Sequence, residues 1–156
     1  MTDIPDREML PPIQVNAQYI KDLSFEVPGA PAVFADLATN GPELNVRVDL
    51  NAQPLTGNGF EVALQLATEA KIKGKVAFIV DLTYAGLFTL NVVEEHLQPV
   101  LLIECPRLLF PFARNIIADV TGAGGFPPLL LQPIDFVTLF RQRMEQLAQQ
   151  QPQGNA

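Results

Sequence analysis

LIECPRLLFPFARNIIADVTGAGGFPPLLLQPIDF, residues 102–136, is the stretch on which the reading of the fold turns. Its first part predicts a helix. Phe110, Phe112, Ala113, Ile116, Ile117, Ala118 and Val120 run through it, interrupted only by Arg107, Arg114, Asn115, Asp119 and Thr121. Either Pro106 or Pro111 can open that helix, because proline is tolerated in a first turn. A start near Pro106 would leave Pro111 inside, where it kinks a helix. The polar stripe is narrow. A helix apolar round most of its circumference has to be covered on more than one side. In a chain of 156 residues this predicts burial between the chain's own sheet and a partner subunit. Gly122, Gly124 and Gly125 then stop the helix, as glycine does at left-handed C-caps. An apolar, proline-bounded bridge follows.

Beyond the bridge, Asp135 is the expected N-cap of a last helix. Phe136, Leu139, Phe140, Met144 and Leu147 recur there at helical spacing. Upstream the period is two. Ile13, Val15, Ala17, Tyr19, Leu23, Phe25 and Val27 fall on one face of a first strand, with Gln14, Asn16, Gln18, Asp22, Ser24 and Glu26 on the other. Ile20 and Lys21 invert the pattern and mark a bulge or twist. Residues 28–42 form a long connection rich in Pro and Gly. Three further strands follow. Leu44, Val46, Val48 and Leu50 face inward on the second, and Phe60, Val62, Leu64 and Leu66 on the third. On the fourth, Val76, Phe78, Val80, Leu82 and Tyr84 do so. Short turns, one of them Lys73-Gly74, imply an antiparallel meander. Residues Val93 to Glu104 suit a helix broken at Pro99. Strands first and helices last make an α+β chain: a four-stranded antiparallel sheet with a long crossover connection, then helices on one face and at the oligomer interface. One domain is expected over residues 13–150, between a disordered leader, 1–12, and a polar tail, 151–156.

Composition narrows the function. Apolar residues make up 48%, and 17 acids against 10 bases give −7. That balance argues against binding a nucleic-acid backbone and favours basic partners. No run approaches the roughly 20 apolar residues of a membrane span, so no insertion is expected. The single cysteine, Cys105, allows no internal disulfide and fits a cytoplasmic setting. No catalytic site is expected. His96 is the only histidine and has no triad or metal partners beside it. Cys105 lacks an adjacent base and suits a buried, inert thiol. The glycines at 122–125 follow a helix rather than open one, and no Gly-Lys-Ser/Thr occurs, so they are no phosphate loop. Neither metal nor cofactor is expected.

Two features are left over. Asp22, Glu26 and Asp81, with Ile79 beside Asp81, fall on the polar registers of strands one and four. They form either a solvated strand face or a docking surface for a basic partner. Phe34, Leu37, Phe136 and Phe140 exceed what a small sheet needs to cover. They are either core or the walls of a groove for extended apolar peptide, between the 28–42 connection and the last helix.

Three blocks of the chain resemble the SecB family of protein-export chaperones. They are YIKDLSFEVP at 19–28 with APAVF at 30–34, LFPFAR at 109–114, and GFPPLLL at 125–131 with PIDF at 133–136. With the order of elements, the resemblance covers about residues 13–147. It implies an ATP-independent cytoplasmic holdase that keeps unfolded preprotein clients from aggregating and delivers them to the SecA ATPase. It implies a homotetramer, a dimer of dimers with long helices between two layers of sheet. On this resemblance SecA would bind at Asp22, Glu26, Ile79 and Asp81, and clients in the groove of Phe34, Leu37, Phe136 and Phe140. The chain departs from the family pattern at Asp81, where a glutamate is expected, and at Thr83-Tyr84-Ala85, where a more polar segment is. Two readings from other classes stand beside this one. One is a small oligomeric protein holding a small ligand in the apolar groove. The other is an adaptor acting through the acidic sheet.

Overall fold

The computed structural model describes residues 10–150. Most of the expected leader and all of the expected tail lie outside those residues. Within them the elements run β1 (Ile13–Glu26), α1 (Val33–Leu37), β2 (Glu43–Pro54), β3 (Gly59–Ile72), β4 (Lys75–Leu90), α2 (Glu94–Pro99), α3 (Cys105–Ala123) and α4 (Phe136–Gln150). The strands form one antiparallel sheet in the order β1-β4-β3-β2. The expected α+β meander is present, with β1 returning beside β4. Lys73 (φ 53°) and Gly74 (φ 74°) turn β3 into β4, both with positive φ as a tight two-residue hairpin requires.

The helices cover one face of the sheet. Val62, Leu64, Leu66, Val80, Leu82 and Phe88 point to them and are buried, against Leu109, Ala113 and Ile117 of α3. Gly86 brings β4 close to that helix, since a Cβ there would fall 2.7 Å from the Phe88 ring and 3.0 Å from Leu109.

Strand lengths exceed the sequence expectation. β3 continues past Leu66 to Ile72 and β4 past Tyr84 to Leu90. Ladder bonding to both neighbours carries them through segments such as Ala67-Thr68 and Ala85-Gly86, whose alternation is too weak to read.

β1 corrects a second expectation. Its register against β4 slips between Val15 and Ala17 and again between Ile20 and Asp22. The second slip lies at the expected bulge; the first was not foreseen. Each extra residue reverses the side-chain alternation. Between the bulges Tyr19 pairs with Ala85 and Ala17 with Leu87, on the outer face, while Gln18 turns toward the helices and accepts a hydrogen bond from Tyr84 Oη at 3.1 Å. Tyr19 and Ala17 are therefore outer-face residues and Gln18 an inner one, opposite to simple alternation.

The helical run is continuous from Glu94 to Ala123 and is not broken at Pro99. A wider π-helical turn, Val100–Glu104, joins α2 to α3. It lies where the ring of Pro106 would otherwise meet the carbonyl of Leu102, four residues back. Pro106 thus sits in the first turn of α3 and Pro111 inside it. Gly124 caps the helix, and Gly125 takes φ +95°. Thr121 fastens the bridge that follows. Its hydroxyl donates within α3, to Ile117 (2.8 Å) or Ala118 (3.1 Å), and accepts the Leu129 N–H at 2.9 Å. Asp135 caps α4 as expected, accepting the Thr138 N–H at 3.1 Å and its hydroxyl at 2.7 Å.

Candidate functional site

Two surfaces stand out, one on each side of the sheet. On the outer face, pairing aligns residues across all four strands. Glu26, Ile79, Glu69 and Asn45 form one row; Ser24, Asp81, Ala67 and Arg47 the next; Asp22, Thr83, Gln65 and Asp49 a third. The four residues expected to act together, Asp22, Glu26, Ile79 and Asp81, are thus brought onto adjacent rows of one face. Ile79 is 36% exposed among acids. Asp22 and Glu26 are exposed, and Asp81 is half-buried with its Oδ1 accepting from Gln65 Nε2 at 3.2 Å. Sequence reasoning missed Glu69 because it lies beyond the expected end of the third strand. It also missed Asp49, whose place in the third row follows only from the register. Arg47 stands in the second row as a countercharge.

Farther along this face Glu61 accepts from Lys21 Nζ at 2.6 Å and from the Tyr19 hydroxyl. These bonds, Lys21's first, hold its carboxyl below the usual range despite partial burial. Burial, with the adjoining carboxylate, pushes the Tyr19 phenol up to about 12. Glu61 is internally neutralised and adds little to the free acidity of the face.

The second surface lies on the helix side. α4 meets β2 beside Val48 and Leu50, where Arg143 Nη1 donates to the Leu50 carbonyl at 3.0 Å. The 28–42 connection enters the same strand at Glu43. Between them Leu44 and Val46 point to the helix side and lie 46% and 38% exposed, with no helix of the described residues over them. This strip was not foreseen, since alternation alone assigns both residues to the core.

The expected groove residues divide around it. Leu37 packs at the connection end and Phe140 on α4, both half-buried. Phe34 is 37% exposed, with its ring 5.3 Å from Phe126. Phe136 is a core residue, 2% exposed and edge-on to Phe110 at 6.3 Å. It supports α4 from beneath and presents no surface in this chain. Phe34 and Phe136 belong to separate ring groups: Phe34 to a row with Phe126, Phe78 and Phe25, and Phe136 to a pair with Phe110.

A second apolar area adjoins the edge strand β1. Val15, Ile20 and Leu23 of β1 face the helix side yet remain exposed, as do Leu108 and Phe112 on the outer flank of α3. Phe112 stacks over Tyr84, the register partner of Ile20. The two-sided apolar character of α3 is therefore satisfied on one side only within a single chain.

Among the described residues no cluster of three or more His, Cys, Asp or Glu could hold a metal, and no helix is long and apolar enough to cross a membrane. His96 is exposed. Cys105 is fully buried, and burial, with Glu104 nearby, pushes its thiol up to about 12. That is the opposite of an activated nucleophile.

Comparison with known proteins agrees with this geometry. The family model for the preprotein translocase subunit SecB matches residues 6–147. The protein-export protein SecB of Paramagnetospirillum magneticum is 58% identical over 147 residues, covering 94% of this chain and 95% of the relative. That of Rhodospirillum rubrum is 52% identical over 145 residues, covering 93% and 90%. Among solved structures, a SecB-like chaperone of Mycobacterium tuberculosis in complex with a ChAD peptide from the HigA1 antitoxin shares the fold. Its TM-score is 0.60 at 22% identity, over 79% of this chain and 91% of that one.

Proposed function

The chain belongs to the SecB family, and we propose that it is an ATP-independent chaperone of preprotein export, binding without catalysis. It holds unfolded preproteins in extended, translocation-competent form in the cytoplasm and passes them to the SecA ATPase. The observation that carries this reading is the uncovered strip of β2, with Leu44 and Val46 open between the connection and α4. An extended client laid along it buries alternate apolar side chains against the strip, Leu37 and Phe140, with Phe34 at its entrance and Phe136 bracing α4 from below. Burial contributes about 25 cal/mol per Å² of apolar surface, less the losses of ordering the client. Folded proteins hide such segments and are passed over.

The working form is a homotetramer, a dimer of dimers. The apolar area of Val15, Ile20, Leu23, Leu108 and Phe112 supports it, as surface that a further copy would cover. Several weak client sites on one oligomer then act together by raising effective concentration. SecA docks on the opposite side of the sheet, where Glu26 lies beside Ile79, Asp81 on the next row and Asp22 on the row after it. Complementary charge at such a rim sets partner choice and association rate. With the two surfaces on opposite faces, a loaded chaperone keeps its SecA surface free.

Reversing charge at Asp22→Lys with Glu26→Lys tests the division. In calorimetry at about 0.1 M salt, SecA affinity should fall on the order of tenfold, with client affinity unchanged. Equal loss of both would contradict the assignment of separate faces.

A further inference from the structure

The connection 28–42 is attached to the body in an unusual way. Its backbone hydrogen bonds close on themselves: Val33 N–H to Gly29 (3.0 Å), Phe34 to Pro31 (3.2 Å), Ala35 to Ala32 (3.1 Å), and Thr39 and Asn40 to Asp36 (3.2 and 3.0 Å). The one that leaves it, Ala30 to Val27 (3.3 Å), reaches only the residue before it. Among the described residues, its single side-chain tie to the rest of the chain is Lys73 Nζ to Asp36 Oδ1 at 3.4 Å, an exposed ion pair on the hairpin turn. Otherwise apolar side chains hold it: Val33, buried; Leu37, half-buried; and Phe34, still 37% exposed.

The place where Phe34 rests is shaped for a ring. Its floor is the row Phe25, Phe78 and Phe126, with neighbouring centroids 6.0 and 4.9 Å apart. A Cβ on Gly125 would fall 2.8 Å from the Phe34 ring, and one on Gly124 would fall 2.3 Å from the Phe25 ring. The glycine turn that ends α3 therefore leaves room for two rings from other elements. Phe34 sits in that slot as the chain's own occupant.

We infer that residues 28–42 are a strap that swings off as a preformed unit, withdrawing Phe34 so that an aromatic side chain of an unfolded client takes its place. This rests on the client-groove reading above and adds a gate to it. Among the described residues, opening about Val27 breaks no backbone hydrogen bond between strap and body beyond the one from Ala30 to Val27 at the hinge itself, so the segment belongs to the low-stability end of the molecule. The Asp36–Lys73 pair is the latch. If clients enter only the open form, apparent affinity scales with the open fraction.

The test uses the full-length protein as wild type, D36K, and the charge swap D36K/K73D. Aspartate tolerates the positive φ at position 73. Hydroxyl-radical oxidation of side chains is followed by mass spectrometry, since opening bares rings and leaves the strap's own amides bonded, and reduced, carboxymethylated α-lactalbumin serves as the unfolded client. D36K places two lysines together and should speed oxidation of Phe126, buried under Phe34, about two- to five-fold, leaving the core ring Phe136 unchanged. Client affinity should rise by the same factor, and the swap should return both to wild type. Unchanged oxidation of Phe126 in D36K would overturn the strap, and faster oxidation with unchanged affinity would overturn its coupling to clients. Failure of the wild type to bind the unfolded chain would instead sink the client reading, with the oxidation rates still deciding whether the strap opens.

Discussion

Tyr19 shows what single residues do here. Alternation along β1 assigns it to the core side, but the slip at Asn16 and the one at Lys21 place it on the outer face, bonded to Glu61. One inserted residue reverses every side chain until the next insertion, and nothing in the composition of residues 13–26 reveals where the first lies. The acids beyond the second bulge escaped this. Asp22, Ser24 and Glu26 share one register with Ile79 and Asp81, so that part of the acidic face was legible from alternation.

The same pairing gives a pH signature. The Tyr19 phenol stands at about 12 in the fold against 10.0 for the free group, so the folded state favours its neutral form. A raised group contributes stability that is complete below the unfolded value and lost as pH rises through the folded one. Wild-type stability should therefore decline between pH 10 and 12, and Tyr19→Phe should flatten that decline. Chemical denaturation at pH 8, 10 and 11.5 measures it. Parallel curves for the two proteins would remove Tyr19 from the alkaline transition.

Among elements, the join between α3 and the bridge carries the most information. The sequence at 122–125 announced the helix stop, and the Asp135 cap and the spacing of α4 were equally legible. Strand ends were not. At Thr68, Ala70 and Gly86 the inner face of the sheet carries small or polar side chains, so hydrophobic contrast fades while the ladder continues. Alternation places Leu44 and Val46 on the inner face, where they lie, but whether a helix covers them depends on where α4 meets β2, which is a tertiary fact.

Thr121 holds α3 to the bridge through one buried hydroxyl. Thr121→Val keeps the shape and strands the Leu129 N–H, at a cost of about 1–3 kcal/mol. Thr121→Ser should recover most of it. Urea titration of the three proteins measures this, and a valine variant as stable as wild type would show that the bridge is held by packing alone.

At the scale of the whole molecule, the fold separates two kinds of surface. The outer face of the sheet offers charge at the surface of a −7 chain; the helix side offers apolar area at the strip, beside β1 and on the flank of α3. The apolar circumference of α3 was visible in residues 102–136 because its polar stripe is narrow, and within one chain only its sheet side is covered. The proposed groove was less visible. Phe136 and Phe34 look alike in sequence, yet one is core and the other lies over a glycine turn.

The central claim is that an oligomer of this chain holds unfolded proteins and ignores folded ones. Native mass spectrometry of the purified protein tests it most directly, alone, with a reduced and unfolded preprotein, and with the same protein folded. A tetramer that gains the mass of the unfolded chain and none of the folded form is the predicted result. A monomer, or an oligomer that takes up neither, would contradict it.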